Sequence, residues 1–137
     1  MVAARPFSSI QDLKDAADLI WNGCSHGDWL EAFAAHPRIG ERGKTEWSRQ
    51  EQSGAVRVPQ KVQDALIQAN REYEAKYGYT FIICASGKSA EEMLAVLRQR
   101  LGNNPLIEIH NAAEQQRLIT HLRLDRLLNE IHNNPCY

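Results

Sequence analysis

Apolar residues recur at helical spacing along most of this chain, interrupted by glycine, proline and capping side chains. Ile10, Leu13, Ala17, Ile20 and Trp21 share one face of a first helix. Ser8 with Gln11, or Ser9 with Asp12, has the spacing of an N-terminal cap, and Asn22-Gly23 closes the helix. A second, short helix is predicted from Asp28 as N-cap through Trp29, Leu30 and Phe33. It stops at His36, because Pro37 disfavours helical backbone in the residue before it. Ser48-Arg49-Gln50-Glu51 has capping-box spacing and opens another short helix ending at Ser53-Gly54. Pro59 suits the first turn of a longer helix with the stripe Val62, Leu66, Ala69, Tyr73 and Tyr77, terminated by Gly78. Ser89 and Glu92 cap a helix through Met93, Leu97 and Leu101 to Gly102, and Asn104-Pro105 starts a last helix reaching about Asn133.

One stretch breaks this pattern. Tyr79-Thr80-Phe81-Ile82-Ile83-Cys84-Ala85 is a short run of aromatic and β-branched residues with no second strand to pair with. It reads as a buried extended segment between helices. The expected fold is all-α: an irregular single-domain bundle of about six helices with one short extended segment, spanning residues 1–137.

Composition narrows the function. Sixteen basic against seventeen acidic residues give a net charge of -1, without the basic excess of a nucleic-acid binder. No apolar run approaches the length that spans a bilayer, and no signal-peptide core or peroxisomal C-terminal tripeptide is present, so a cytoplasmic, non-membrane protein is expected. The three cysteines, Cys24, Cys84 and Cys136, are widely spaced and form no CxxC pair, which argues against a disulfide framework or a zinc site. Five histidines lack metal-ligand spacing, so no metal is expected. Gly87-Lys88-Ser89 imitates the end of a phosphate loop, but the upstream glycine position holds Ile82, and Ser89 serves as a cap.

The richest chemistry lies in Ala34-Ala35-His36-Pro37-Arg38-Ile39-Gly40-Glu41-Arg42-Gly43-Lys44. A histidine at a helix end is followed by a glycine-spaced loop with three cations and one acid, a plausible anion site with a titratable group at its edge. His36 is either a helix-end histidine or a general acid–base whose neutral-range pKa suits proton transfer. Glu51 is explained equally well as the partner of the Ser48 cap or as a group orienting His36 and substrate N–H bonds. On the last helix, Arg117 has Glu114 three residues before it and Arg126 has Glu130 four after it, the spacing of solvated surface pairs. Arg123 has no acid at helical spacing and is flanked by Ile119 and Leu127. It therefore snorkels to solvent, meets a distant acid, or grips a ligand carboxylate with its fork.

Several motifs, in order, resemble one family. His36-Pro37-Arg38-Ile39-Gly40, Trp47-Ser48-Arg49-Gln50-Glu51-Gln52-Ser53-Gly54-Ala55 and Tyr77-Gly78-Tyr79-Thr80-Phe81-Ile82-Ile83-Cys84-Ala85 resemble 2-oxo-4-hydroxy-4-carboxy-5-ureidoimidazoline (OHCU) decarboxylase. Arg5-Pro6-Phe7, Asp28-Trp29-Leu30 and Leu122-Arg123-Leu124 fit as well. The resemblance implies a cofactor-free, all-α, homodimeric carboxy-lyase of urate catabolism that converts OHCU into (S)-allantoin and carbon dioxide. It puts His36, Glu51 and Arg123 at catalytic positions. It assigns substrate contacts to Pro37, Ser48, Arg49, Gln50 and Gln52, and to Phe81, Ile82, Ile83, Cys84 and Ala85. Members usually begin with a further helical segment before Arg5, which this chain, starting at Met1-Val2-Ala3-Ala4, is expected to lack. A related His/Glu-dependent lyase or hydrolase on another ureido acid, or a silent helical binding module, are the competing readings. Retention of His36, Glu51 and Arg123 together favours an enzyme.

Overall fold

A computed structural model describes residues 5–36, 38 and 58–133. Among them are five helices: α1 (Ile10–Asn22), α2 (His26–Ala34), α3 (Gln60–Tyr77), α4 (Ala90–Arg100) and α5 (Pro105–Asn133). The all-α class is as expected. The predicted helix opening at Ser48 lies outside the described residues.

Helix boundaries follow their capping chemistry. Ser9 caps α1 by accepting the Asp12 N–H. Ser89 and Glu92 form a reciprocal capping box on α4, satisfying two backbone donors that the first turn leaves open. Gly78 ends α3 in the left-handed conformation, φ 86°, where a side chain would be strained. The start of α2 departs from the prediction. Ser25 is its N-cap and Asp28 is the third helical residue, with the two side chains forming a capping box. Aspartate, shorter than the glutamate or glutamine usual at that position, still reaches the Ser25 N–H at 3.0 Å. Pro59 sits one position earlier than expected, as the N-cap of α3, and α4 ends at Leu101 ahead of Gly102.

The core joins α2, α3, α4 and the N-terminal half of α5. Phe33, Leu66, Tyr73, Leu97 and Ala112 are each completely enclosed. The 79–85 segment threads this core without forming a strand. Its polar backbone is satisfied by side chains from three helices. Asn70 accepts the Phe81 N–H at 3.0 Å, Arg100 donates to the Ile82 carbonyl at 2.7 Å, and Gln115 accepts the Cys84 N–H at 2.9 Å. A buried extended segment lacking a partner strand needs such donors and acceptors, because an unpaired backbone group inside a protein costs about 1–3 kcal/mol.

Helix α1 lies antiparallel on α5. The Trp21 indole donates to the Ala113 carbonyl at 2.9 Å. One turn back along α1, Asp18 meets Arg117 at 3.3 Å and His121 at 2.6 Å, and further back Lys14 pairs with Asp125 at 2.7 Å. Arg117 is therefore more than a surface partner of Glu114: it holds Glu114 with two bonds and also reaches across to α1. No helix among the described residues is long and apolar enough to cross a membrane.

Candidate active site

His36 stands two residues past the end of α2. Its backbone N–H closes on the Phe33 carbonyl at 3.0 Å, so the imidazole is carried by the last turn of a helix whose Trp29 and Phe33 are anchored in the core. Chain direction changes there, and the half-buried ring is turned toward α5. His36 Nε2 is hydrogen-bonded to Gln116 Oε1, linking positions eighty residues apart.

The surrounding hollow has a volume of about 550 Å³, and the described residues that line it are Trp21, Ala32, Ala35, His36, Gln116, Thr120 and Arg123. Three helices build it. Helix α2 supplies a small-residue wall ending in the histidine, α1 supplies the edge of Trp21, and α5 supplies Gln116, Thr120 and Arg123. Those last three fall at i, i+4 and i+7 and therefore project from one face of α5. Arg123 is exposed, and no hydrogen bond or ion pair to another described residue engages its guanidinium. Of the three destinations open to Arg123 from its sequence context, solvent at the mouth of this hollow is the one observed. The pocket thus pairs a titratable imidazole with a planar cation able to grip a carboxylate or developing oxyanion.

Among the loop cations, the described one, Arg38, behaves differently. Arg38 Nε binds both Glu74 oxygens, at 2.9 and 3.1 Å, which ties the chain after His36 to α3. Arg42 and Lys44 lie outside the described residues, as do Glu51, Pro37, Ser48, Arg49, Gln50 and Gln52. Phe81 and Ile82 are buried in the core, Ile83 and Cys84 are half-buried and Ala85 is exposed. None of these five is among the described residues lining the His36 hollow. The segment nonetheless meets the same turn of α5: Gln115 holds Cys84 while its neighbour Gln116 holds His36.

Gln116, Thr120 and Trp21 escaped the sequence reading. The available signal was the polar pair Gln116 and Thr120, one buried and one half-buried, continuing the stripe of Ala112 at four-residue spacing where apolar residues would be expected. Elsewhere in the core, Arg100 and the fully enclosed Glu108 bond at 2.6 Å. Tyr73 adds a 2.6 Å bond to the same carboxylate oxygen and Asn103 a 2.9 Å bond to the other. Burial alone would push the Glu108 carboxyl up, but these hydrogen bonds and the Arg100 charge outweigh it and hold its pKa below the usual carboxylate range. Burial, together with donation to Glu108, pushes the Tyr73 hydroxyl far above its ordinary value. Neither group is placed to titrate in the neutral range. The network is scaffolding for the 79–85 segment.

Comparison with known proteins now bears on this geometry. The family model for OHCU decarboxylase matches residues 1–125. The chain belongs to the OHCU decarboxylase family. A crystal structure of OHCU decarboxylase in the presence of (S)-allantoin superposes with a TM-score of 0.79 at 37% identity, covering 93% of this chain and 87% of that one. The uric acid degradation bifunctional protein TTL of Arabidopsis thaliana is 35% identical over 95% of this chain, which spans 43% of the plant protein. An OHCU decarboxylase of Halalkalicoccus jeotgali is 30% identical over 90% of this chain and 72% of its own length. OHCU decarboxylase membership therefore rests on agreement along the whole fold as well as on short motifs.

Proposed function

We propose that this protein decarboxylates OHCU to (S)-allantoin and carbon dioxide in urate breakdown. The observation that carries the reading is the shared hollow of His36 and Arg123, in a chain whose fold matches a decarboxylase crystallised with the allantoin product. Departure of carbon dioxide from the hydroxyl-bearing ring carbon sends its electron pair into the adjoining carbon–nitrogen double bond, giving an enol whose developing charge lies on the ring nitrogen. Arg123 stabilises that developing charge with its guanidinium fork. His36 then delivers a proton to one face of the neighbouring ureido-bearing carbon, while the enol O–H loses its proton and becomes the ring carbonyl, and this sets the configuration of the product. Glu51 orients the imidazole and receives the ureido or ring N–H groups. Pro37, Ser48, Arg49, Gln50 and Gln52 together with the Phe81–Ala85 segment complete the substrate contacts. The reading extends to a homodimer in the cytoplasm.

The hollow's volume suits a small substrate of this kind, since ligand sites span about 300–1,000 Å³. The direct test is to generate OHCU freshly from urate by way of 5-hydroxyisourate and to follow its loss and carbon dioxide release with and without the protein. Acceleration over the spontaneous decay is expected. Unchanged decay of OHCU alongside turnover of another ureido acid would replace this substrate assignment.

A further inference from the structure

Deepening the decarboxylase reading, and resting on it for the reaction, we propose that Gln116 is a positioning residue that holds neutral His36 as its Nε2–H tautomer. Gln116 is itself 7% exposed, a buried amide whose side chain has two specified neighbours. Its Oε1 meets His36 Nε2, and its Nε2 faces Thr120 Oγ1 at 3.5 Å. The Thr120 hydroxyl has one proton, donated to the Gln116 backbone carbonyl at 3.0 Å. Its oxygen therefore faces the amide as an acceptor, and the amide must present N–H to it. That fixes the carboxamide oxygen toward the imidazole, and an acceptor oxygen binds the ring nitrogen that carries hydrogen. The opposite orientation would set the amide oxygen against a threonine oxygen with no proton left to give.

The consequence is chemical as well as geometric. With hydrogen held on Nε2, Nδ1 is the basic nitrogen of the neutral ring, and it is the one that takes up and returns a proton. The ring plane is also constrained, because the bond ties the C-terminal end of α2 to a buried position on α5. Without it, the imidazole loses the acceptor that favours hydrogen on Nε2, and a smaller fraction of molecules can transfer the proton to the correct face. Gln116 acts through His36, so its loss lowers turnover more than substrate affinity.

The test uses the full chain labelled with 15N-histidine, read by long-range 1H–15N correlation at alkaline pH, where imidazoles are neutral. His36 is assigned by the signal lost in His36→Ala. The wild type should show a protonated Nε2 and an unprotonated Nδ1. Gln116→Leu, close in volume and without an acceptor, should shift the pattern away from the pure Nε2–H form. Gln116→Glu, which restores an acceptor oxygen, should return the Nε2–H pattern. Thr120→Val, which leaves the Gln116 side chain in place and frees its amide to rotate, should also shift the pattern away from the pure Nε2–H form and serves if Gln116→Leu fails to fold. In turnover, Gln116→Leu should lower kcat about tenfold with KM within about twofold, and Gln116→Glu should recover part of the loss. A wild-type Nδ1–H tautomer, or a Gln116→Leu spectrum identical to wild type, overturns the proposal. A locked Nε2–H tautomer in a protein that makes no (S)-allantoin leaves the positioning role standing and removes the decarboxylase reading.

Discussion

Arg100 and Glu108 form an ion pair inside the core, Nε to Oε1 2.6 Å, with Glu108 wholly enclosed. Arg100 also stacks 4.5 Å above the Phe81 ring and bonds to the Ile82 carbonyl, so the pair braces the extended segment from beneath. Removing one charge strands the other in the interior. Glu108→Gln should lower unfolding free energy by about 3–5 kcal/mol. Urea denaturation measures it, and a loss below about 1 kcal/mol would show that the network is better solvated than its burial indicates.

The same carboxylate sets an acid limit. Its pKa is lowered on folding from an ordinary value of 4.5, so the native state favours the ionised form. The stability this contributes is complete above the unfolded-state pKa and is lost as pH falls below it, toward the folded-state value. Urea midpoints of the wild type should fall between neutrality and acid pH, and Glu108→Gln should show a shallower fall. Parallel pH curves for the two proteins would contradict this.

Much of the architecture was legible because helix caps are local. Ser9, Gly78, Ser89 and Pro105 each act within one turn, and the residues that mark them stand next to the boundary they make. The start of α2 was misplaced because Asp28 matches an N-cap by type yet serves three positions later, behind Ser25. The extended segment was visible as a β-branched run, but its supports were not: Asn70, Arg100 and Gln115 come from three helices and no sequence period relates them. The hollow divides the same way. His36 and Arg123, which both line it, were singled out in the sequence, one by its proline stop and the other by missing acid neighbours. Gln116 was hidden, since a glutamine in a helix has no distinguishing local role until the end of α2 is packed against it.

The left-handed residue ending α3 gives a purely local prediction. A Cβ at Gly78 would meet no atom within 4 Å, so only backbone strain opposes it. Gly78→Ala should cost about 1–2 kcal/mol in thermal or urea denaturation. A neutral or stabilising outcome would mean that α3 ends differently in solution.

Arg123 and Arg126 are both exposed on α5, but only Arg123 lines the hollow. Lysine keeps the charge and loses the fork. Arg123→Lys should lower kcat/KM for OHCU by about tenfold to a hundredfold, while Arg126→Lys stays within about twofold. Steady-state kinetics on fresh substrate decides it, and equal losses would show that the choice of arginine is wrong.

The central claim is that His36 protonates one face of the decarboxylated ring. Its most direct test is circular dichroism of allantoin formed from fresh OHCU, because spontaneous decay gives both enantiomers equally. The wild type should yield an excess of (S)-allantoin, and His36→Ala, with a wild-type far-ultraviolet spectrum, should yield the racemate. A racemic product from the wild type, or an (S) excess that survives the loss of His36, would contradict the account.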